Sequence, residues 1–508
     1  MLEHANFKSV SNLHNNDQTK HNKEEKKMKK FSMIIMTLVM LFVMVCSVNT
    51  ACAEETVKIS IDEWIGWQSL LDANGGLKTA PDSINAKNGI SVEYVVMNDA
   101  TTSSAALISG DLQGAGYTVN RYAFLQAKFD EAGLKVVMPY ITNFSNGGDG
   151  IIAKSDILTI KDLVGRKVAV PKFSEAQTLV EWLLNNSDLT AEEKAQIRSD
   201  MVYFETADDT AKAFFSGSVD AAATWEPYLT QAASSTDSRV LFDTSMSTNL
   251  ILDGIVFRKD FVESHKDFII KLMDGSFEAA GMYKTVFDNV RQMPMFELMS
   301  DEEIVEMAMG ADLATCAQNV RLLKETAVQM YSDMAEVWIV VGETAYPEKA
   351  ADAFESKFAE NLLTKYPAME NTTSEVLTDE QKVTLIESPE SLLSYAADIK
   401  YNLNSTTIKE ASYAQLDEFV KIAKILDGVY IQLEGNAAKR ADGVTDQMIV
   451  EFSEARAQSV KDYFVAHGID ENRIIVVGNG DFKPINEENL AAAENRRTEF
   501  YFKTVRGY

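Results

Sequence analysis

Trp64, Trp67, Tyr117 and Trp225 offer large rigid contact area and ring faces that attract cations. Asp149, Glu226 and Asp253 add negative charge. A carboxylate enclosed by a closing cleft must find a cation or several donors, because burying it alone is costly. No arginine stands beside these acids in sequence, so they suit an amine, a guanidine, an amide or a cationic ring, zwitterions included. Thr101, Thr102 and Ser174 sit at expected helix starts, where hydroxyls and backbone N–H groups suit an anionic or neutral oxygen. Each residue also has a plainer role open to it: core packing for the aromatics, helix capping for the hydroxyls.

What is missing narrows the chemistry. Three of five histidines (His4, His14, His21) and two of three cysteines (Cys46, Cys52) lie in the first 52 residues. His265, His467 and Cys316 remain, far apart in sequence, which argues against a zinc site, a Ser-His-Asp triad or an internal disulfide. No metal, cofactor or catalytic residue is expected, and binding is favoured over catalysis. A net charge of −28 argues against nucleic acid and anionic lipid surfaces.

The amino-terminal region reads as an export signal. Lys29 and Lys30 precede sixteen mostly apolar residues, Met33 to Val48, and then Ala51-Cys52-Ala53. The apolar run is short for a membrane span, which needs about 20 residues. Cleavage after Ala53 is expected, with Met28 as a natural start and residues 1–27 read as an over-extension. Acylation of Cys52 is the competing reading; Asn49 stands where such signals carry an aliphatic residue. An uncleaved anchor is a third.

The elements that must position the candidate residues alternate in type. Val57 to Ile61, Val92 to Val96 and Lys167 to Val170 read as strands, and Ser174-Glu175-Ala176-Gln177 as a capping box opening a helix through Leu184. Strand-to-helix turns expose backbone N–H groups at the carboxyl edge of an open α/β sheet, where ligands bind. With 508 residues and 46% apolar composition, two or three cores are expected.

Two echoes organise the first part of the chain. Asp149-Gly150-Ile151-Ile152-Ala153-Lys154-Ser155-Asp156 recurs as Asp253-Gly254-Ile255-Val256-Phe257-Arg258-Lys259-Asp260. Ser109 to Tyr117 resembles Ser216 to Trp225, each with a glycine followed by a small-residue strand that ends near an aromatic. Two related lobes joined by crossing strands are expected, with Asp149 and Asp253 opening those strands.

Residues 56–345 resemble the solute-binding proteins of the nitrate, sulfonate, taurine and thiamine-precursor ABC importers. The resemblance rests on Trp64-Ile65-Gly66-Trp67, Asn143 to Gly150, Thr159 to Val170 and Thr224-Trp225-Glu226-Pro227-Tyr228. Asn143 and Glu175 complete the candidate ligand set. The resemblance implies a two-lobed α/β periplasmic-binding-protein clamp with two hinge strands, a small-molecule solute, and permease and ATPase partners.

Residues 346–387, with two prolines and no strand pattern, read as a helical linker. A second alternating region follows, with strands at Val429 to Leu433 and Arg473 to Val477. The helix before them carries Leu416, Phe419, Val420 and Ala423 on one face. Residues 388–504 resemble the α+β OmpA-like peptidoglycan-binding module through Phe452 to Val460, Gly468-Ile469, Gly478 to Asp481 and Asn495-Arg496-Arg497. That family holds diaminopimelate with an arginine, matched by Arg456, and an aspartate. The aspartate segment is broken: Ala437 and Ala438 stand for Thr-Asp, and Ile449 for the usual asparagine. Asp442, or Asp446, could substitute from a loop about three residues longer than expected.

The expected chain is therefore a leader and signal (1–53), a clamp (54–345), a linker (346–387) and an OmpA-like domain (388–508). It is read as a monomeric receptor of the cell envelope that delivers a small polar nitrogen- or sulfur-containing organic solute to an ABC importer and is tethered to peptidoglycan. An envelope sensor or structural wall protein is the alternative, and a pyrimidine-synthase-like enzyme a more distant one.

Overall fold

The computed structural model describes residues 56–340, 342, 350–367, 377–388, 391–397, 399–402 and 405–504. The expected leader, cleavage site and Cys52 lie outside these residues. Among the described residues no helix is long and apolar enough to cross a membrane.

The chain builds a first lobe with β1 (Val57–Ile61), β2 (Val92–Val96), β3 (Gly114–Thr118) and β4 (Val136–Ser145). It crosses to a second lobe for β5 (Asp149–Lys154), β6 (Val168–Pro171), β7 (Met201–Phe204), β8 (Ala221–Trp225) and β9 (Ser238–Asp243), then returns for β10 (Leu252–Arg258) and β11 (Ala311–Leu313). Strand order in the first sheet is β11-β4-β10-β3-β1-β2, and in the second β7-β6-β8-β5-β9. Apart from β11 the two sheets correspond strand for strand. Among these five corresponding strands of each sheet, the one antiparallel member, β10 or β5, is the first strand formed after a crossing, and β11 adds a second antiparallel strand at the edge of the first sheet.

Both sequence echoes fall on this correspondence. The two Asp-Gly-aliphatic runs are β5 and β10, and the two small-residue strands are β3 and β8. The small residues have a packing cause. A methyl group on Gly116 would lie 2.9 Å from the Trp67 ring, and one on Gly114 2.7 Å from Phe257. Both rings are buried, and the large apolar area they remove from water depends on those two glycines.

Three helices matter for the site. The first, α1 (Ala100–Ser109), is capped by Asp99, whose carboxylate accepts from Thr102 N at 2.7 Å. The next, α2 (Val119–Glu131), is capped by Thr118. The helix α3 (Glu175–Asn185) follows β6. Ser174 caps it as expected, accepting from Gln177 N at 3.2 Å, but the returning half of the capping box differs. Gln177 Oε1 accepts from Phe173 N rather than from Ser174 N, because Phe173 adopts a left-handed φ of 58° that turns its N–H toward the helix. A later helix, α4 (Ala327–Val340), packs against both α2 and α3. Trp338 of α4 lies 4.9 Å from the Phe124 ring, which stacks on Phe173 at 5.3 Å.

Within the region expected as a linker, short helical pieces form at Ala350–Ala353 and Lys357–Leu362. They do more than span. Phe358, Ala359 and Leu362 are buried with the first-lobe core, and Cys316 Sγ donates to Ala359 O at 3.3 Å.

The last sheet contains β12 (Leu393–Ala397), β13 (Tyr430–Gly435), β14 (Ile474–Gly478) and β15 (Thr498–Lys503), in the order β12-β15-β13-β14. Two helices, α5 (Tyr413–Ile425) and α6 (Asp446–Ala466), accompany it. Leu416, Phe419, Val420 and Ala423 are all buried on α5, as their spacing requires.

Candidate functional site

The carboxyl ends of the parallel strands meet the openings of the antiparallel strands at one edge of each lobe. On the first sheet Asp253 is in register with Thr118 on one side and Asn143 on the other. On the second, Asp149 is in register with Trp225. Asp253 and Asp149 are 5% and 8% exposed, whereas Trp225 at 38% is the most exposed aromatic of the candidate set.

The two edges are bridged at the helix starts. Arg121 Nη2 of α2 reaches Glu175 Oε2 of α3 at 2.7 Å, and Thr118 Oγ1 donates to Glu175 Oε1 at 3.0 Å. Beside them Asn120 Nδ2 donates to Thr178 Oγ1 at 2.8 Å. Arg121, Thr118 and Asp62 escaped sequence reasoning. Their signal was position alone: Asp62 follows β1, and Thr118 and Arg121 open the helix after β3.

One guanidinium faces more than one acid. Burial opposes the charge on Arg121, but Glu175 and Asp62 raise its pKa overall. Burial raises Asp253 well above the carboxylate range, and Asp62, Glu175 and Asp149 add repulsion that the Trp64 N–H only partly offsets. Burial likewise pushes Asp149 up to about 7, against a hydrogen bond donated by Ser145 Oγ at 2.7 Å, with Glu175 adding repulsion. Asp62 is raised by burial and by Glu175, while the Trp67 N–H at 2.6 Å and Arg121 lower it. Crowding and burial thus favour the protonated form of these acids, and a cation placed among them would favour the ionised form.

The remaining candidates divide by what their polar atoms already do. Trp64 Nε1 donates to Asn143 Oδ1 at 2.9 Å, and a methyl group on Gly66 would sit 2.1 Å from that oxygen. Gly66 is what lets the indole and the amide meet. Trp67 is buried, with its N–H given to Asp62, so it frames the site from behind. Tyr117 is also buried; its hydroxyl pairs with Ser103 Oγ at 2.9 Å, and burial pushes its pKa up to about 12. Thr101 and Thr102 are exposed, and Thr102 Oγ1 donates to the capping Asp99 at 2.6 Å. Ser174 donates to Pro171 O at 2.6 Å while capping α3. Glu226 accepts from Thr230 N and Oγ1, at 3.1 and 3.0 Å, and burial raises its pKa. Capping therefore occupies Ser174, Thr102 and Glu226, whereas Asp149, Asp253 and Trp225 hold the edge.

In the last domain Arg456 is 9% exposed, its guanidinium 4.4 Å from the Phe452 ring and 4.8 Å from that of Tyr401. Burial lowers its pKa, Tyr401 raises it and Arg496 lowers it again. A guanidinium in such a setting suits a carboxylate. Asp442 is exposed in the loop after β13, and the structure does not bring it to Arg456. Asp446 is committed elsewhere, to Arg440, which also pairs with Asp481.

Residues 86–283 match the NMT1/THI5 like family, and residues 401–498 match the OmpA family. A putative aliphatic sulfonates-binding protein of Bacillus subtilis is 25% identical over 318 residues, covering 56% of this chain and 89% of that protein. Outer membrane protein A of Bordetella avium is 35% identical over 108 residues, 21% of this chain. The match spans about half of that protein's length, 54%. The periplasmic aliphatic sulphonate binding protein SsuA from Escherichia coli superposes with a TM-score of 0.49 at 17% identity, over 61% of this chain and all of the other.

Proposed function

We propose, from a chain that joins an NMT1/THI5-like domain to an OmpA-family domain, that the clamp captures a small nitrogen-containing organic solute for an ABC importer. The OmpA-like domain tethers the receptor to peptidoglycan in the cell envelope. The observation that carries this reading is the acid excess at the cleft. Arg121 is engaged by Glu175, which leaves Asp149 and Asp253 without a cation of their own in the described residues. An ammonium, guanidinium or cationic ring supplies it, with the Trp225 face as a second contact.

A solute lodged there touches both lobes and so favours closure. An acidic group on a zwitterionic solute would compete with Glu175 for Arg121. Plain nitrate or sulfate would meet repulsion from Asp149 and Asp253 as they ionise.

A binding role also fits the histidines. His265 stacks on Phe261 at 4.3 Å and His467 on Tyr463 at 4.0 Å, each at a helix end and neither in the cleft set. In the tether, Arg456 and Arg496 would take the carboxylate of a stem peptide. Asp442, in its exposed loop, would take the ammonium only by approaching on binding.

Trp225→Ala combined with Asp253→Ala tests the site. The pair should abolish solute-induced thermal stabilisation, and undiminished stabilisation would place the site elsewhere.

A further inference from the structure

The two crossings between the lobes, residues 146–148 and 244–251, are tied together by one side chain. Thr244 Oγ1 meets Ser145 Oγ at 2.7 Å and accepts from Gly147 N at 2.9 Å and Asp149 N at 3.3 Å. Ser145 also donates to the Asp149 carboxylate at the cleft edge.

The OmpA-like domain grips the same second crossing a few residues on. Gly428 N donates to Met246 O at 3.1 Å, and Ser247 Oγ to Ile425 O at 2.5 Å. Asp427 accepts from Thr248 N at 2.8 Å and Thr248 Oγ1 at 2.6 Å, and Asn249 Nδ2 donates to Lys424 O at 3.1 Å. The fit leaves no room for a side chain: a methyl group on Gly428 would lie 1.9 Å from Ser245 O.

A second contact reaches the far lobe. Tyr395 of β12 donates to Asn186 O, at the carboxyl end of α3. The other end of α3 carries Glu175, which holds Arg121 across the cleft. Eleven helical residues, about 16 Å, join the two ends. The domain thus touches both the hinge and one of the bodies that the hinge moves.

We infer that the OmpA-like domain is coupled to the clamp's hinge, so that its docking on residues 246–249 biases how far the lobes close. The coupling free energy works both ways, so closure must also alter the docked contact at residues 424–428. A receptor built this way changes its solute affinity when its wall-binding domain is pulled or displaced. The inference presumes a clamp that opens and closes, and it is independent of which solute the clamp holds.

Amide hydrogen exchange on the full chain tests both directions without a solute. Gly428→Val perturbs the docking side; Thr248→Ala does so mildly if the valine chain fails to fold. The reporting peptides are 146–150 and 175–178, which the domain does not touch. Their exchange should rise at least about threefold. Glu175→Gln perturbs the cleft side, and the reporting peptide is 424–429, with the same rise expected. Changes confined to the neighbourhood of each substitution, or a response in one direction only, would overturn the coupling and leave the domain a passive tether.

Discussion

Asp149 and Trp225 are the cross-strand pair with which β5 and β8 reach the cleft, so a buried acid and an exposed indole share one rim of the second lobe. Asp253 stands at the equivalent opening of β10 in the first lobe, between Thr118 and Asn143. Acid on both sides and one committed guanidinium leave the protein's own charges at the cleft electrostatically incomplete.

That incompleteness predicts an unusual pH dependence. The folded-state pKa of Asp149, about 7, exceeds its ordinary value of 3.8, so between these values the folded clamp holds a proton that the unfolded chain releases. Its contribution is full below the lower value and is lost as pH rises to 7. Asp149→Asn should remove this loss and stabilise the empty clamp at neutral pH by on the order of 2 to 4 kcal/mol. Denaturant midpoints of the two chains between pH 4 and 8 check it; parallel curves would contradict it.

The same titration acts on binding. An ammonium solute meets an ionised Asp149 only as pH approaches 7, so its affinity should rise from pH 5 to 8 and its binding should release protons below pH 7. Calorimetry in buffers of different ionisation enthalpy reads the proton count directly.

The interlobe pair makes an asymmetric prediction. Arg121→Ala leaves Glu175 among Asp62, Asp149 and Asp253, and should cost about 3 kcal/mol of stability. Glu175→Gln removes one acid from the crowd and frees Arg121 for Asp62, so it should cost about 1 kcal/mol. Equal losses in urea titrations would show that charge crowding does not govern the site.

Much of this arrangement was legible beforehand, for identifiable reasons. The small-residue strands and the Asp-Gly-aliphatic runs reveal two corresponding sheets, because period-two patterning and close ring packing leave a local mark in sequence. The Arg121–Glu175 bridge joins residues 54 positions apart and leaves no such mark. Thr101 and Thr102 pointed to a helix start, but Asp99 competed better for the capping position, since its carboxylate accepts from both Thr102 N and Oγ1. The contact between Gly428 and Ser245 joins segments that share no pattern at all, and only the fold exposes it.

For the tether, the full chain should pellet with peptidoglycan and lose about tenfold of its affinity on Arg456→Ala, which removes charge-assisted hydrogen bonds. Asp442→Ala should cost severalfold less, as an exposed acid contributes under about 1 kcal/mol. A chain that stays in solution with wild-type Arg456 would end the anchoring claim.

The central claim is that the cleft selects positive charge, and a thermal-shift comparison of amines, guanidines and cationic pyrimidines with sulfonates and nitrate tests it most directly. At a hundredfold excess over Kd a true ligand stabilises by about 2.7 kcal/mol, a rise of several degrees in Tm. The account predicts that rise for a nitrogen cation or zwitterion, and its loss in Asp149→Asn. A rise with nitrate or an amine-free sulfonate, undiminished in Asp149→Asn, would contradict it.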